Sequence, residues 1–122
     1  MIILAHAMVA LVALLHLYFM VLEMYFWDKP LGMRTFKTNP EFAKTSKLLA
    51  ANQGLYNGFL AAGLIWGLVL GTDDGSIKIF FLLCVVVAGI FGALTVNRRI
   101  IYIQALPAAI AIILILLAGT RN

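Results

Sequence analysis

Charge is scarce in this 122-residue sequence: Asp, Glu, Lys and Arg together make up 11% of it, while 64% is hydrophobic. Soluble domains carry roughly 25% charged residues, and a chain this short leaves a large share of its surface in contact with solvent. A water-soluble globular fold is thereby excluded, and lipid is the solvent that suits the composition. Cysteine is nearly absent too. The single Cys84, set in an apolar run, excludes a disulfide framework and a paired-cysteine metal site. The two histidines, His6 and His16, are ten residues apart, about 15 Å along a helix. That is too far for shared ligation, and neither HxxxH nor ExxH occurs, so no metal and no cofactor is expected. Phosphate loops, nucleophile elbows and dinucleotide fingerprints are also missing, which removes the well-marked enzyme classes. Nucleic acid is not an expected partner either, because the nine basic residues are dispersed between apolar runs and form no continuous basic face.

Four long apolar runs are what the sequence does have: Ile2 to Trp27, broken by His6, His16 and Glu23; Leu48 to Leu70; Ile79 to Val96; and Ile100 to Ala118. Each approaches or exceeds the roughly 20 residues that cross about 30 Å of hydrocarbon. The expected fold is therefore all-α, a polytopic membrane protein in which residues 1–122 form one domain. Its four transmembrane helices, near 2–27, 47–70, 77–96 and 100–119, pack as an antiparallel bundle with the lipid bilayer as partner. The first run lacks a basic start and a small-residue cleavage site before Glu23, and reads as a retained helix. Asn39 followed by Pro40 is a helix cap with proline at the first helical position, so the second helix is expected to begin there as a charged turn outside the membrane. Gly71 is a stop for that helix. Thr72 to Ser76 form a tight turn, with Ser76 capping the third helix. Asn97, Arg98 and Arg99 are so short a connection that the third and fourth helices must be antiparallel neighbours.

Lysine and arginine orient the chain. Lys29, Arg34, Lys37, Lys44 and Lys47 lie in the first loop and Arg98 and Arg99 in the third, while Lys78 and Arg121 fall on the other side. Loops 28–46 and 97–99 are expected in the cytoplasm, with both termini and the acidic second loop outside a plasma or inner membrane. Small residues recur at helical spacing in three stripes: Gly54, Gly58 and Ala62; Gly63, Gly67 and Gly71; Ala88 and Gly92. In lipid such stripes let backbones approach closely. Packing within the chain is their simplest use, and a homo-oligomer is the other.

This topology gathers polar residues at one level. Glu23 lies about 6 to 9 Å from the cytoplasmic end of the first helix, Asn52 about 7 Å past Lys47, Thr95 within about 5 Å of Arg98 and Gln104 about 7 Å beyond Arg99. Asn52 and Tyr56 share one face of the second helix, Gln53 and Asn57 the adjacent one. Pro107 leaves the carbonyl of Ile103 without its usual donor. His16, seven residues before Glu23, is on the same face and about 10 Å deeper.

A carboxylate and a histidine within a membrane span are expensive, and their presence favours function. Glu23 and His16 are the candidate catalytic or proton-handling residues, and Asn52, Gln53, Tyr56, Asn57, Thr95 and Gln104 the candidate ligand-binding residues. Each has a plainer alternative. Glu23 is shallow enough to reach the interface or pair with Arg98 or Arg99, His16 can simply bond a neighbouring helix, and the amides and Tyr56 can act as interhelical glue. Tyr25, Trp27 and Tyr102 fit an aromatic belt on the cytoplasmic side, and Trp66 its outer counterpart. The leading expectation is a cytoplasm-facing pocket for a small polar or amphipathic molecule. Three alternatives stand beside it: a membrane isomerase or oxidoreductase with Glu23 as acid and base, a proton-coupled transporter, and a structural helper subunit.

The segments EMYFW (Glu23 to Trp27), NQGLYNGFLAAGL (Asn52 to Leu64), AGIFGALTV (Ala88 to Val96) and QALPA (Gln104 to Ala108) resemble the bacterial membrane family known as domain of unknown function 1304. The likeness covers nearly the whole chain and includes most residues of the polar layer. It implies a membrane protein and brings no activity with it.

Overall fold

The structure, a computed structural model, describes residues 1–70 and 75–119. The expected stop at Gly71, the acidic turn at 72–74 and Arg121 lie outside the described residues. Those described are helical, with no strand among them: α1 Ile2–Tyr25, α2 Pro30–Phe36, α3 Pro40–Thr45, α4 Lys47–Val69, α5 Ser76–Thr95, a π-helical stretch Ile101–Ala105, and α6 Leu106–Gly119. Three helical segments are long and apolar enough to cross a membrane: Ile2–Tyr25, Ser76–Thr95 and Ile101–Gly119. The 23 residues of α4 rise about 34 Å, a comparable length, but Asn52, Gln53 and Asn57 dilute the hydropathy of its first half.

Helical spacing accounts for what is buried. On α1 the covered positions Ala5, Val9, Val12, His16 and Glu23 follow steps of three, four and seven, while Leu4, Leu11, Leu14, Tyr18 and Val21 are exposed on the other side. Lys78, Leu82, Val85 and Gly89 make the buried stripe of α5, and Ala108, Ala111 and Ile115 that of α6. The exposed sides of α5 and α6 are apolar as well, as faces turned to hydrocarbon are.

The chain divides into two compact units, Leu14–Ala61 and Met1–Ala13 with Ala62–Asn122. Within Leu14–Ala61, α1 and α4 run antiparallel, with Gly58 against Met20 and Gly54 against Met24 and Glu23. A Cβ at Gly54 would lie 2.8 Å from Met24 Cγ and 3.1 Å from the Met20 carbonyl oxygen, so glycine is what admits the neighbouring helix. The segment between them folds back on itself. Pro30 opens α2, where its missing N–H costs nothing. Asn39 caps α3 by accepting the Phe42 N–H at 2.8 Å, with Pro40 at the first helical position. A break at Ser46 separates α3 from α4, so the charged turn expected at 40–45 is a short helix of its own. Trp27 Nε1 donates to Ser46 Oγ at 3.0 Å, the Trp27 and Phe36 rings meet at 5.1 Å, and Lys47 Nζ donates to Asp28 Oδ2 at 3.0 Å. These contacts tie the two ends of the segment together.

That ion pair has a pH signature. The hydrogen bond from Lys47 holds the Asp28 carboxyl below the usual aspartate range. Its contribution to stability is present above the ordinary aspartate value of about 4 and is lost as pH falls through the lowered one. Being exposed, it is small. Asp28→Asn should therefore lower the thermal midpoint slightly at pH 7, and the difference from wild type should vanish in strong acid.

Within the other unit, Gly63 faces the Phe81 ring and Gly67 faces Lys78, an antiparallel contact between the end of α4 and the start of α5. Gly75, with φ of 77°, is the residue preceding α5, and Ser76 is its first helical residue. The expected Ser76 cap is thus displaced by one position, because the chain enters α5 through a left-handed turn that glycine adopts without strain. Gly89 packs on the backbone of Ala105, where a Cβ would come within 2.7 Å of the amide nitrogen. The expected stripe named Ala88 instead, which is exposed. The π-helical stretch ends two residues before Pro107, and Leu106 N–H reaches back to the Ile101 carbonyl. The proline ring and its lost donor disfavour regular α geometry there, and the wider turn absorbs the conflict.

Candidate functional site

Two of the eight candidate residues meet directly. Glu23, near the end of α1, is 8% exposed, and Asn57, midway along α4, is 9% exposed. Asn57 Nδ2 donates to Glu23 Oε1 across the α1/α4 contact. The pair exists because Gly54 and Gly58, one turn apart on α4, let the α1 backbone come close enough for a short amide to reach a carboxylate. Met20 and Met24 flank it: Met20 Sδ would be 2.7 Å from a Cβ at Gly58. Among the described residues Glu23 forms no ion pair, and the salt bridge present is Lys47 with Asp28.

The other candidates are placed differently. Asn52, Gln53 and Tyr56 are exposed on α4, and the Tyr56 ring lies 6.1 Å from that of Phe59. His16 is fully buried in α1, edge-on to Phe19 with ring centroids 5.5 Å apart. Thr95 is exposed and its hydroxyl donates to the Phe91 carbonyl of its own helix at 2.7 Å. Gln104 is half-buried in the π-helical stretch. Thr95 and Gln104 belong to the unit 62–122, the remaining six candidates to the unit 14–61.

Depth arithmetic matched Glu23 to Asn52, whereas its partner is Asn57. The difference of somewhat more than one turn arises because α4 begins beyond the level at which α1 ends, with Lys47 paired to Asp28 in the connecting segment. Sequence reasoning also missed Lys78, which it treated as an outer loop charge. Lys78 is 3% exposed and donates to the Gly67 carbonyl at 3.3 Å, where Gly67 leaves room for the lysine stem. Gly67 is in the last turn of α4, whose carbonyls lack intrahelical donors. The signal was the stripe Lys78, Leu82, Val85 and Gly89, which puts the lysine on the packed face. Among the described residues no three His, Cys, Asp or Glu side chains gather into a metal-holding group.

All-helical architecture with three helices of membrane-spanning length and composition defines the class. A family model described as "Protein of unknown function (DUF1304)" matches residues 10–116, and the chain belongs to that family. It is also 32% identical over 105 residues to "Uncharacterized protein YpaA" of Lactococcus lactis subsp. lactis (strain IL1403), a match covering 84% of this chain and 88% of that protein. No solved structure matches.

Proposed function

We propose that this protein is an integral protein of a bacterial plasma or inner membrane, with α4 as a fourth span, and that it binds a small polar or amphipathic molecule at Glu23 and Asn57. The observation that carries the reading is the Glu23–Asn57 pair itself: Glu23 is the one carboxylate within the apolar helices, and the α1/α4 contact holds it in place. A buried carboxylate is costly in lipid and marks function by default. The exposed polar side chains of α4 support the same reading. Asn52, Gln53 and Tyr56 present hydrogen-bonding groups in the first half of that helix, where hydrocarbon leaves such groups unsatisfied. A bound ligand would satisfy them.

The antiparallel run of α4 beside α1 supports a fourth span: a chain that has crossed once and turned at residues 26–46 would return through the same layer. The basic residues then favour loops 28–46 and 97–99 in the cytoplasm, with the first and last residues and the α4–α5 connection outside. In this topology the proposed site would open toward the cytoplasm. In a Cys84→Ala background, Lys37→Cys should react with an impermeant maleimide only from the cytoplasmic side and Ser76→Cys only from the outer side. The opposite pattern would invert the topology.

Ligand binding is tested on protein extracted from native membranes in mild detergent and examined by native mass spectrometry. The wild type should carry a small-molecule adduct that Glu23→Gln, of equal helicity, loses. Wild-type protein free of adduct under conditions that preserve bound lipids would count against the pocket.

A further inference from the structure

Three polar features lie outside the pair just described: the buried Lys78 near His6, the basic segment of α2 and α3, and the half-buried Gln104. The inference that reaches furthest nevertheless returns to Glu23, and concerns charge. It rests on the proposed binding site and names the class of its ligand.

Glu23 is held by a neutral partner. The Asn57 amide supplies a hydrogen bond to Oε1 but no positive charge, and among the described residues no lysine, arginine or histidine pairs with the carboxylate. The cations nearest in sequence are otherwise engaged or exposed: Lys47 pairs with Asp28, and Lys29 is at the surface of the connecting segment. Charges exposed to solvent are screened within about 10 Å at ordinary salt, so they do little to neutralise a group in a low-dielectric contact. The site thus has a buried carboxyl with one oriented oxygen and, among the described residues, no cationic partner.

Its surroundings suit a cation with an apolar body. Met20 and Met24 put two flexible, polarizable side chains beside the carboxylate at the glycines of α4. A cation arriving there would stabilise the ionised carboxylate, which an anion or a neutral molecule would not.

We infer that the Glu23 site takes an amphipathic organic cation, an amine or quaternary ammonium whose positive charge pairs with the carboxylate while its hydrocarbon part rests on the thioethers.

The probe is benzyltrimethylammonium, compared with neopentylbenzene, its uncharged isostere in which carbon replaces nitrogen. Binding is measured by equilibrium dialysis on protein in nanodiscs of zwitterionic lipid, with empty nanodiscs as blank. The wild type is expected to bind the ammonium saturably, one per chain, and at least tenfold more tightly than the isostere. Glu23→Asp, which keeps the charge, should retain binding, and Glu23→Gln should lose it at least tenfold. Equal binding of the two probes to the wild type would overturn the inference, a comparison that needs no variant to fold. So would undiminished ammonium binding by Glu23→Gln. If neither probe binds but a neutral adduct disappears in Glu23→Gln, the cation inference falls and the binding site stands. If neither probe nor adduct is found, both fall.

Discussion

Gly32→Ala should unfold the segment between α1 and α4. Gly32 rests on the backbone of the Phe26–Trp27 turn, where a Cβ would overlap the Phe26 carbonyl oxygen and lie 2.7 Å from its carbon and 3.0 Å from Trp27 Cα. A side chain in that position could rotate aside, but this carbonyl is fixed by the Lys29 N–H it accepts at 3.0 Å. The alanine can be accommodated only by lifting α2, which carries away the Trp27–Phe36 ring contact and strains the Trp27–Ser46 hydrogen bond. Overpacking a tight contact costs about 1–3 kcal/mol and occasionally more, and Gly32 belongs at or above the top of that range because every opposing atom is backbone. Thermal unfolding in detergent, with Trp27 emission followed in a Trp66→Phe background, should show a large drop in midpoint and a red shift. Gly119→Ala, with nothing within 4 Å of the added carbon, is the control and should behave as wild type. Identical midpoints for the two variants would contradict the packing described.

A second large effect is expected at Glu23 and Asn57, and its size depends on whether one partner is removed or both. Asn57→Ala takes the hydrogen-bond donor from a buried carboxyl and should destabilise by about 1–3 kcal/mol, the cost of leaving a buried polar group unsatisfied. Glu23→Leu leaves a neutral amide unsatisfied, at about 1–3 kcal/mol. The double variant Glu23→Leu/Asn57→Ala roughly conserves the summed side-chain volume and removes both polar groups. It should fall within about 1 kcal/mol of wild type, because an apolar pair at a packed helix contact needs no partner. The coupling from this cycle should therefore be strongly favourable. A double variant as unstable as the sum of the singles would mean that the two side chains do not act as a pair. If the double variant folds normally yet carries no adduct, the pair is kept for binding at no gain in stability, as functional sites often are.

Local signals in the sequence were read most easily. Asn39 with Pro40 identifies a helix start because the cap involves only the next three residues, and α3 begins there. Apolar runs delimit α1, α5 and α6 for a similar reason: a helix buries its own polar backbone, so length and composition suffice. What depends on a distant partner was not legible. PLGMRTF contains a central glycine and gave no sign of α2, whose stability comes from docking on the Phe26 carbonyl. Pro107 signalled a disturbed hydrogen bond but not that five residues before it would widen into a π turn.

The candidate site divides along the same line. Glu23 and Asn57 stood out individually as polar residues in apolar helices. Their pairing was hidden, since it depends on the register set by Met20 on Gly58 and Met24 on Gly54 and on how far α4 extends past the end of α1. Thr95 is a different case: it looked like part of a polar layer, and the structure shows its hydroxyl bonded to the Phe91 carbonyl of its own helix. Lys78 was assigned by its position near a loop, whereas its place on the packed stripe of α5 decides its environment.

The central claim, that Glu23 and Asn57 form a ligand site rather than a dry clamp between helices, is tested most directly by an experimental density map of the protein isolated in native lipid. The account predicts ordered non-protein density within hydrogen-bonding distance of the Glu23 carboxylate, beside Met20 and Met24. Helices α1 and α4 closed over the pair, with carboxylate and amide satisfied only by each other and no such density beside them, would contradict it.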